Sequence, residues 1–209
     1  MGMHIAQTTT GRDAKILDLG SGTLGTITTT AQALKGESKQ ANFTGVEFTP
    51  KLADASRKHA EELEEDMESM SVTIEENDVE NFVEQAKQQG KTYDHITISY
   101  MLHHLKKHNQ KELIMKLSEI IKPGGSLQIA DPQEGISAFN LKFLLPNEPE
   151  GIFAEFTTPE EMSEWMKEAG FQPEIVLRDD PDHKDNPGYT GDGEYNYTGY
   201  LVRGIKPTK

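Results

Sequence analysis

Residues 18–25 read Asp18-Leu19-Gly20-Ser21-Gly22-Thr23-Leu24-Gly25. The stretch continues the apolar run Lys15-Ile16-Leu17-Asp18-Leu19 and opens a helix-like segment, so it is a strand-to-helix turn. Glycines at such a point let the chain turn tightly and let a ligand approach bare backbone. Gly20, Gly22 and Gly25 fit the G-x-G-x-x-G spacing of dinucleotide-binding turns, although the same spacing also serves a turn that binds nothing. Asp18 separates the possibilities. A carboxylate directly before the glycines repels a pyrophosphate and suits a cationic ligand.

Further short apolar runs occupy residues 43–48, 72–74, 95–98 and 126–130, at intervals of roughly 20 to 30 residues. Helix-like segments lie between them: 51–67, with Pro50 where a first turn tolerates it, then 79–89 and 110–121. Strands alternating with helices of this size argue for βαβ units and a parallel sheet with helices on both faces. The last third breaks the rhythm. Residues 134–156 form a long connection carrying Phe139, Leu141, Phe143, Leu144, Leu145, Phe153 and Phe156. A helix is expected over 158–169, opened by Thr158-Pro159-Glu160-Glu161 and stopped by Gly170. Two final runs, 173–177 and 195–202, have no helix between them and are expected to pair antiparallel.

Thirty-five acids stand against 21 Lys and Arg, a net charge of −14. That balance disfavours phosphate backbones and anionic lipid surfaces as partners, so neither nucleic acid nor membrane is expected. The chain has no cysteine, which excludes disulfides, thiolate metal sites and cysteine nucleophiles. No secretory leader and no run of 18 apolar residues is visible, and a soluble, cytoplasmic single domain is expected. Residues 59–86 contain eleven acids and no Lys or Arg, and read as a solvated acidic face. The loop 179–185 is rich in oxygen ligands but lacks calcium-loop spacing, so no metal is expected.

Two further acids follow strand-like runs. Glu47 ends the second, where a carboxylate can accept both hydroxyls of a ribose, and Asp78 follows the third, where it can accept from an adenine amine. Ligands of open parallel sheets sit beyond the carboxyl ends of the strands, and Asp18, Glu47 and Asp78 all fall there. The bland alternative for each is a solvated or helix-capping acid. With Ile16-Leu17-Asp18-Leu19-Gly20-Ser21-Gly22, Gly45-Val46-Glu47, Asn77-Asp78-Val79, Tyr93-Asp94-His95-Ile96-Thr97-Ile98-Ser99 and Ile121-Lys122-Pro123-Gly124-Gly125 in place, the chain resembles the class I S-adenosylmethionine-dependent methyltransferases of small-molecule type. The resemblance covers residues 14–130.

It implies an α/β fold, a doubly wound, mostly parallel seven-stranded sheet with an antiparallel last strand and helices on both faces. It implies one domain over 1–209, with a cofactor-binding half at 14–131 and an acceptor side at 132–209. S-adenosyl-L-methionine is the implied cofactor. Asp18, Gly20, Ser21 and Gly22 fall on the motif that lies against its methionine part, Glu47 on the ribose acid and Phe48 on the residue that packs on adenine. Asp78 and Val79 fall on the adenine side, and Ser99 beside the sulfonium. The family commonly has a third glycine two residues after the second, and here that residue is Leu24.

Methyl transfer needs in-line placement and, for some acceptors, removal of a proton. His103 and His104, after the fourth strand, and Asp131, after the fifth, are the candidate bases, with helix capping or packing as the alternative. Ser99-Tyr100-Met101 is unlike the Asn-Pro-Pro-Tyr stretch of amide and base N-methyltransferases, which points to a small-molecule acceptor. The apolar residues of 139–156, and secondarily Tyr189, Tyr195 and Tyr197, are candidate walls of its pocket. Residues 1–13 leave little to cover the site, so a homo-oligomer or a partner subunit is a candidate cover. A cofactor- or partner-binding protein of the same fold without methyl transfer is the main alternative. A nicotinamide-dependent oxidoreductase shares the glycine spacing but not the acids.

Overall fold

The computed structural model describes residues 1–9, 13–132, 155–178 and 199–208. Strands β1 (Ala14–Leu19), β2 (Ala41–Glu47), β3 (Met70–Glu76), β4 (Tyr93–Ser99), β5 (Ile121–Pro132), β6 (Gln172–Arg178) and β7 (Gly199–Ile205) form one sheet in the order β3-β2-β1-β4-β5-β7-β6. The strands from β3 to β5 are parallel, and β7 is antiparallel to both of its neighbours. This is the expected seven-stranded fold. The order reverses between β1 and β4, the position at which open α/β sheets bind ligands.

Helices α1 (Gly2–Thr8), α2 (Gly25–Gly36) and α3 (Pro50–Asp66) cover one face; α4 (Val79–Gln88), α5 (Lys107–Ile120) and α6 (Pro159–Glu168) cover the other. The strand pleat divides the core accordingly. Leu17 and Leu19 with Ile96 and Ile98 join the α4–α5–α6 cluster, while Ile16 and Phe43 join the α1–α2–α3 cluster. Helix α6 begins with a capping box, Thr158 accepting from Glu161 N while the Glu161 carboxylate accepts from Thr158 N. Helix α2 is rich in β-branched threonine, a poor intrinsic choice, and is held by burial of Ile27, Thr30, Ala31 and Leu34.

Three differences from the sequence-based expectations have physical causes. Helix α1 was not expected. It packs on α2 so closely that a Cβ on Gly2 would lie 2.9 Å from Thr30 Cα, and Ile5 and Ala6 are buried. Its end is fastened by His95, whose Nε2 lies 3.2 Å from Thr9 Oγ1 and whose Nδ1 lies 2.8 Å from Ser126 Oγ. Burial pushes the His95 imidazole down to about 4, so this link is uncharged at neutral pH. Strand β5 starts earlier than its apolar run, because Ile121 already pairs with Tyr93 before Pro123-Gly124-Gly125 breaks the register. Strand β7 begins at Gly199; residues 195–198, the connection 133–154 and the loop 179–198, with Tyr189, Tyr195 and Tyr197, lie outside the described residues.

Gly125 shows how tightly β4 and β5 meet. A Cβ there would sit 2.4 Å from the backbone oxygen of Asp94 and 2.9 Å from that of Lys122. Neither atom can yield without moving the sheet. Gly125→Ala is therefore expected to lower the free energy of urea unfolding by about 3 kcal/mol, the upper end of overpacking costs; an unchanged midpoint would refute so close a contact.

Candidate active site

The carboxyl ends of β1, β2 and β4 bring the first two expected acids together. Asp18 is 2% exposed and accepts a 2.6 Å hydrogen bond from Thr97 Oγ1 on β4. Burial raises its carboxyl to about 7, with the Thr97 bond opposing. Glu47 is also buried; its Oε2 accepts from Gly22 N at 3.0 Å and its Oε1 from Thr49 N at 2.9 Å. The glycine turn hangs between these acids, because Gly20 N and Ser21 N both donate to Val46 O. Ser56 Oγ donates to Gly22 O from the side of α3. Gly20 and Gly22 have positive φ, and a Cβ on Gly22 would meet nothing within 4 Å, so bare backbone faces open space there.

Leu24 shows what became of the missing third glycine. It adopts the left-handed conformation glycine would supply, φ 66° and ψ 20°, as N-cap of α2, and its amide donates to Ser21 O at 2.8 Å. Its side chain is completely buried among the α1–α2–α3 residues. The turn therefore keeps the glycine-type backbone, and burial of the leucine offsets the roughly 1–2 kcal/mol cost of that conformation.

The other expected cofactor residues are arranged differently. Asp78 caps α4, its Oδ1 accepting from Glu80 N and Asn81 N, so the capping alternative describes its present bonds. Val79 is buried in the core. Phe48 is 71% exposed beside Glu47, a free apolar face at the rim. Ser99 is half-buried at the end of β4 and lines a cavity of about 280 Å³ between α2, β4, β5 and β7.

Asp131 and His103 form a buried pair. Asp131 Oδ2 accepts from His103 N at 3.0 Å, and its Oδ1 lies 3.0 Å from His103 Nδ1. Burial raises the Asp131 carboxyl, and the bonds from His103 oppose that rise. Asp131 shares its sheet face with Leu127 and Ile129 of the α4–α5–α6 cluster, and both its cross-strand partner Tyr200 and its neighbour Ala130 line the cavity. His103 is further enclosed by Phe156, its ring stacked at 5.9 Å. His104 is exposed at the surface, its ring 4.1 Å from that of His103; partial burial, then the neighbouring imidazole, lowers its pKa. No cluster of three metal-ligating side chains occurs among the described residues.

Two contributors escaped the sequence. Thr97 was visible only as a polar residue within an apolar run. Met101 lies against the glycine turn, its Cγ 2.5 Å from where a Gly20 Cβ would be. Sequence offers no signal for a contact so distant along the chain.

Comparison with known proteins now adds to this geometry. A family model described as a methyltransferase domain matches residues 4–175. The chain belongs to this methyltransferase domain family. A ubiquinone biosynthesis O-methyltransferase from Actinobacillus pleuropneumoniae serotype 7 (strain AP76) is 29% identical over 166 residues, 76% of this chain and 65% of that protein. The chain thus spans a little under two thirds of that relative's length. Among solved structures, the CurJ carbon methyltransferase superposes with TM-score 0.65 at 15% identity, covering 98% of this chain and 51% of that one. Magnesium protoporphyrin IX methyltransferase from Synechocystis PCC 6803, with bound SAH, gives 0.62 at 13% identity, covering 97% and 78%. These likenesses agree with the methyltransferase fold.

Two outcomes follow for the methyltransferase turn. Leu24→Gly relieves the left-handed strain but removes a side chain whose burial is worth about 2–5 kcal/mol. A net loss of about 2 kcal/mol in urea unfolding is expected, and a gain in stability would refute the packing argument. Asp18 has a folded pKa raised above its unfolded value, so its contribution to stability is full below about pH 4 and is lost as pH rises through about 7. The loss is roughly 4 kcal/mol at most. Urea unfolding of the cofactor-free protein should show this decline, and Asp18→Asn should remove it.

Proposed function

We propose that the protein is an S-adenosyl-L-methionine-dependent methyltransferase that methylates a hydroxyl of a small, partly apolar molecule in the cytoplasm. The observation that carries the proposal is the buried Asp18 carboxyl at the reversal point of the sheet, beside an open glycine turn and Glu47. A carboxyl placed there gains a counter-charge from the ammonium and sulfonium of the cofactor. Gly20, Ser21 and Gly22 would lie along its methionine part, Glu47 would accept from its ribose with the lone pairs left by Gly22 and Thr49, and Phe48 would cover adenine. Asp78 and Val79 would border the adenine, and Ser99 the sulfonium. A bound SAH in a solved neighbour of this fold supports the choice of cofactor. The O-methyltransferase name of the relative supports an oxygen acceptor. The net charge of −14 supports a small molecule over nucleic acid.

The cofactor supplies a methyl group activated on a positively charged sulfur. This chain would hold an acceptor oxygen in line with that methyl group, and a base of this chain would take the hydroxyl proton. Residues 14–131 serve the cofactor, and residues 132–209 complete the acceptor side. We assign His103, His104 and Asp131 as the candidate bases, with Asp131 bonding both the backbone N and the ring of His103 after β4. His104 is exposed with its ring 4.1 Å from that of His103, and partial burial and then that imidazole hold its pKa down.

Calorimetry decides the cofactor. S-adenosyl-L-methionine and its demethylated product are both expected to bind, and NAD is not. Glu47→Ala should weaken the cofactor by about 1.5–3 kcal/mol, the scale of a hydrogen bond to a charged group. No heat of binding from either cofactor form would exclude the proposal.

A further inference from the structure

Helix α3 grips the glycine turn as well as the sheet. Ser56 and His59 stand three residues apart on it, so their side chains leave neighbouring points of one face. Ser56 Oγ donates to Gly22 O, and His59 Nδ1 lies 3.1 Å from Thr23 O. A carbonyl oxygen only accepts, so His59 Nδ1 carries the proton and donates it. A serine inside a helix ordinarily turns its hydroxyl to solvent or back to its own helix. Ser56 is fully buried and reaches across to another segment. The small buried neighbours Ala53 and Ala60 are alanines, the best helix formers, and packing alone would be met by a third.

The two bonds complete a grip on three successive peptide units. The unit joining residues 21 and 22 is held through Gly22 N by Glu47 and through Ser21 O by Leu24 N. The next is held through Gly22 O by Ser56, and the one after through Thr23 O by His59. These peptides are trans, so drawing Gly22 O toward α3 turns Thr23 N–H to the opposite side. Glu47 also accepts from Thr49 N at the N-cap of α3, which closes a ring of contacts around Gly22. Gly22 needs that ring. It has φ 48° and no side chain, and a Cβ there would meet nothing within 4 Å. Hydrogen bonds rather than packing must set its conformation.

Resting on the methyltransferase reading above, we infer that Ser56 and His59 are positioning residues for the cofactor. They hold the turn in the shape that receives it, so that binding does not have to order this backbone. Each acts through a carbonyl of the turn, Ser56 through Gly22 and His59 through Thr23.

The test measures the Kd of S-adenosylhomocysteine by calorimetry and Tm by thermal unfolding. It compares the wild type with Ser56→Ala, His59→Leu and His59→Asn. The asparagine amide can place a donor where histidine has Nδ1, and leucine has the same branched shape without one. His59→Leu should raise Kd about fivefold, the loss of one net hydrogen bond. Ser56→Ala should raise it about tenfold, because a buried carbonyl loses its donor. His59→Asn should return Kd to within about twofold of the wild type. Both His59 variants should keep Tm within about 2 °C, as surface substitutions do. A histidine that served the fold alone would move Tm and leave Kd. Unchanged Kd in His59→Leu or in a folded Ser56→Ala overturns the inference, as does His59→Asn binding as weakly as His59→Leu. Should Ser56→Ala fail to fold, the two His59 variants decide. A wild type that binds no S-adenosylhomocysteine removes the methyltransferase reading itself, and the inference with it.

Discussion

Asp18 carries a carboxyl group into the interior where β1 is flanked by β2 on one side and β4 on the other, and the order of the sheet reverses. Burying that group is costly, and the single bond from Thr97 repays only part of the cost, so the carboxyl rises to about 7. A core built for stability alone would place an apolar residue there. On the function proposed above, a cation completes the site, and the surrounding pieces leave open backbone beside it. Glu47 ties the glycine turn to β2, Val46 accepts from two of its amides, and Gly22 opens toward empty space.

The chain leaving β4 runs between this groove and the cavity. Within three positions the chain passes from the cavity wall at Ser99, through the strained Tyr100, to Met101 against Gly20. Both Leu24 and Tyr100 hold left-handed backbone in the connections that follow the neighbouring parallel strands β1 and β4. Leu24 is completely buried, whereas Tyr100 is partly exposed. On the other face, the Asp131–His103 pair fastens the same segment from behind, bonding it to the end of β5. The exit of β4 is thus held from both sides.

Much of this was legible in the chain. Apolar runs located all seven strands, and the Asp-x-Gly-x-Gly turn with the acid ending the second run led to the family. What stayed hidden depended on partners far away in sequence. Helix α1 has no long apolar stripe, and its place follows from the close approach of Gly2 to Thr30. The start of β5 was invisible because Pro123-Gly124-Gly125 carries no strand signal, although Ile121 already pairs with Tyr93. Asp78 could be read as ligand or cap, and its bonds to Glu80 N and Asn81 N depend on where the helix begins. Positive φ at a tyrosine has no sequence signature at all.

The claim that joins these features is that the buried Asp18 carboxyl awaits a cationic cofactor. Carbon-13 NMR of its carboxyl carbon, followed through pH with and without S-adenosyl-L-methionine, reads it directly. In the free protein the resonance should titrate near pH 7; with the cofactor bound, the midpoint should fall by about one unit or more as the cation stabilises the ionised form. A carboxyl that already titrates near its ordinary value in the free protein, or one whose midpoint ignores the cofactor, would contradict the account.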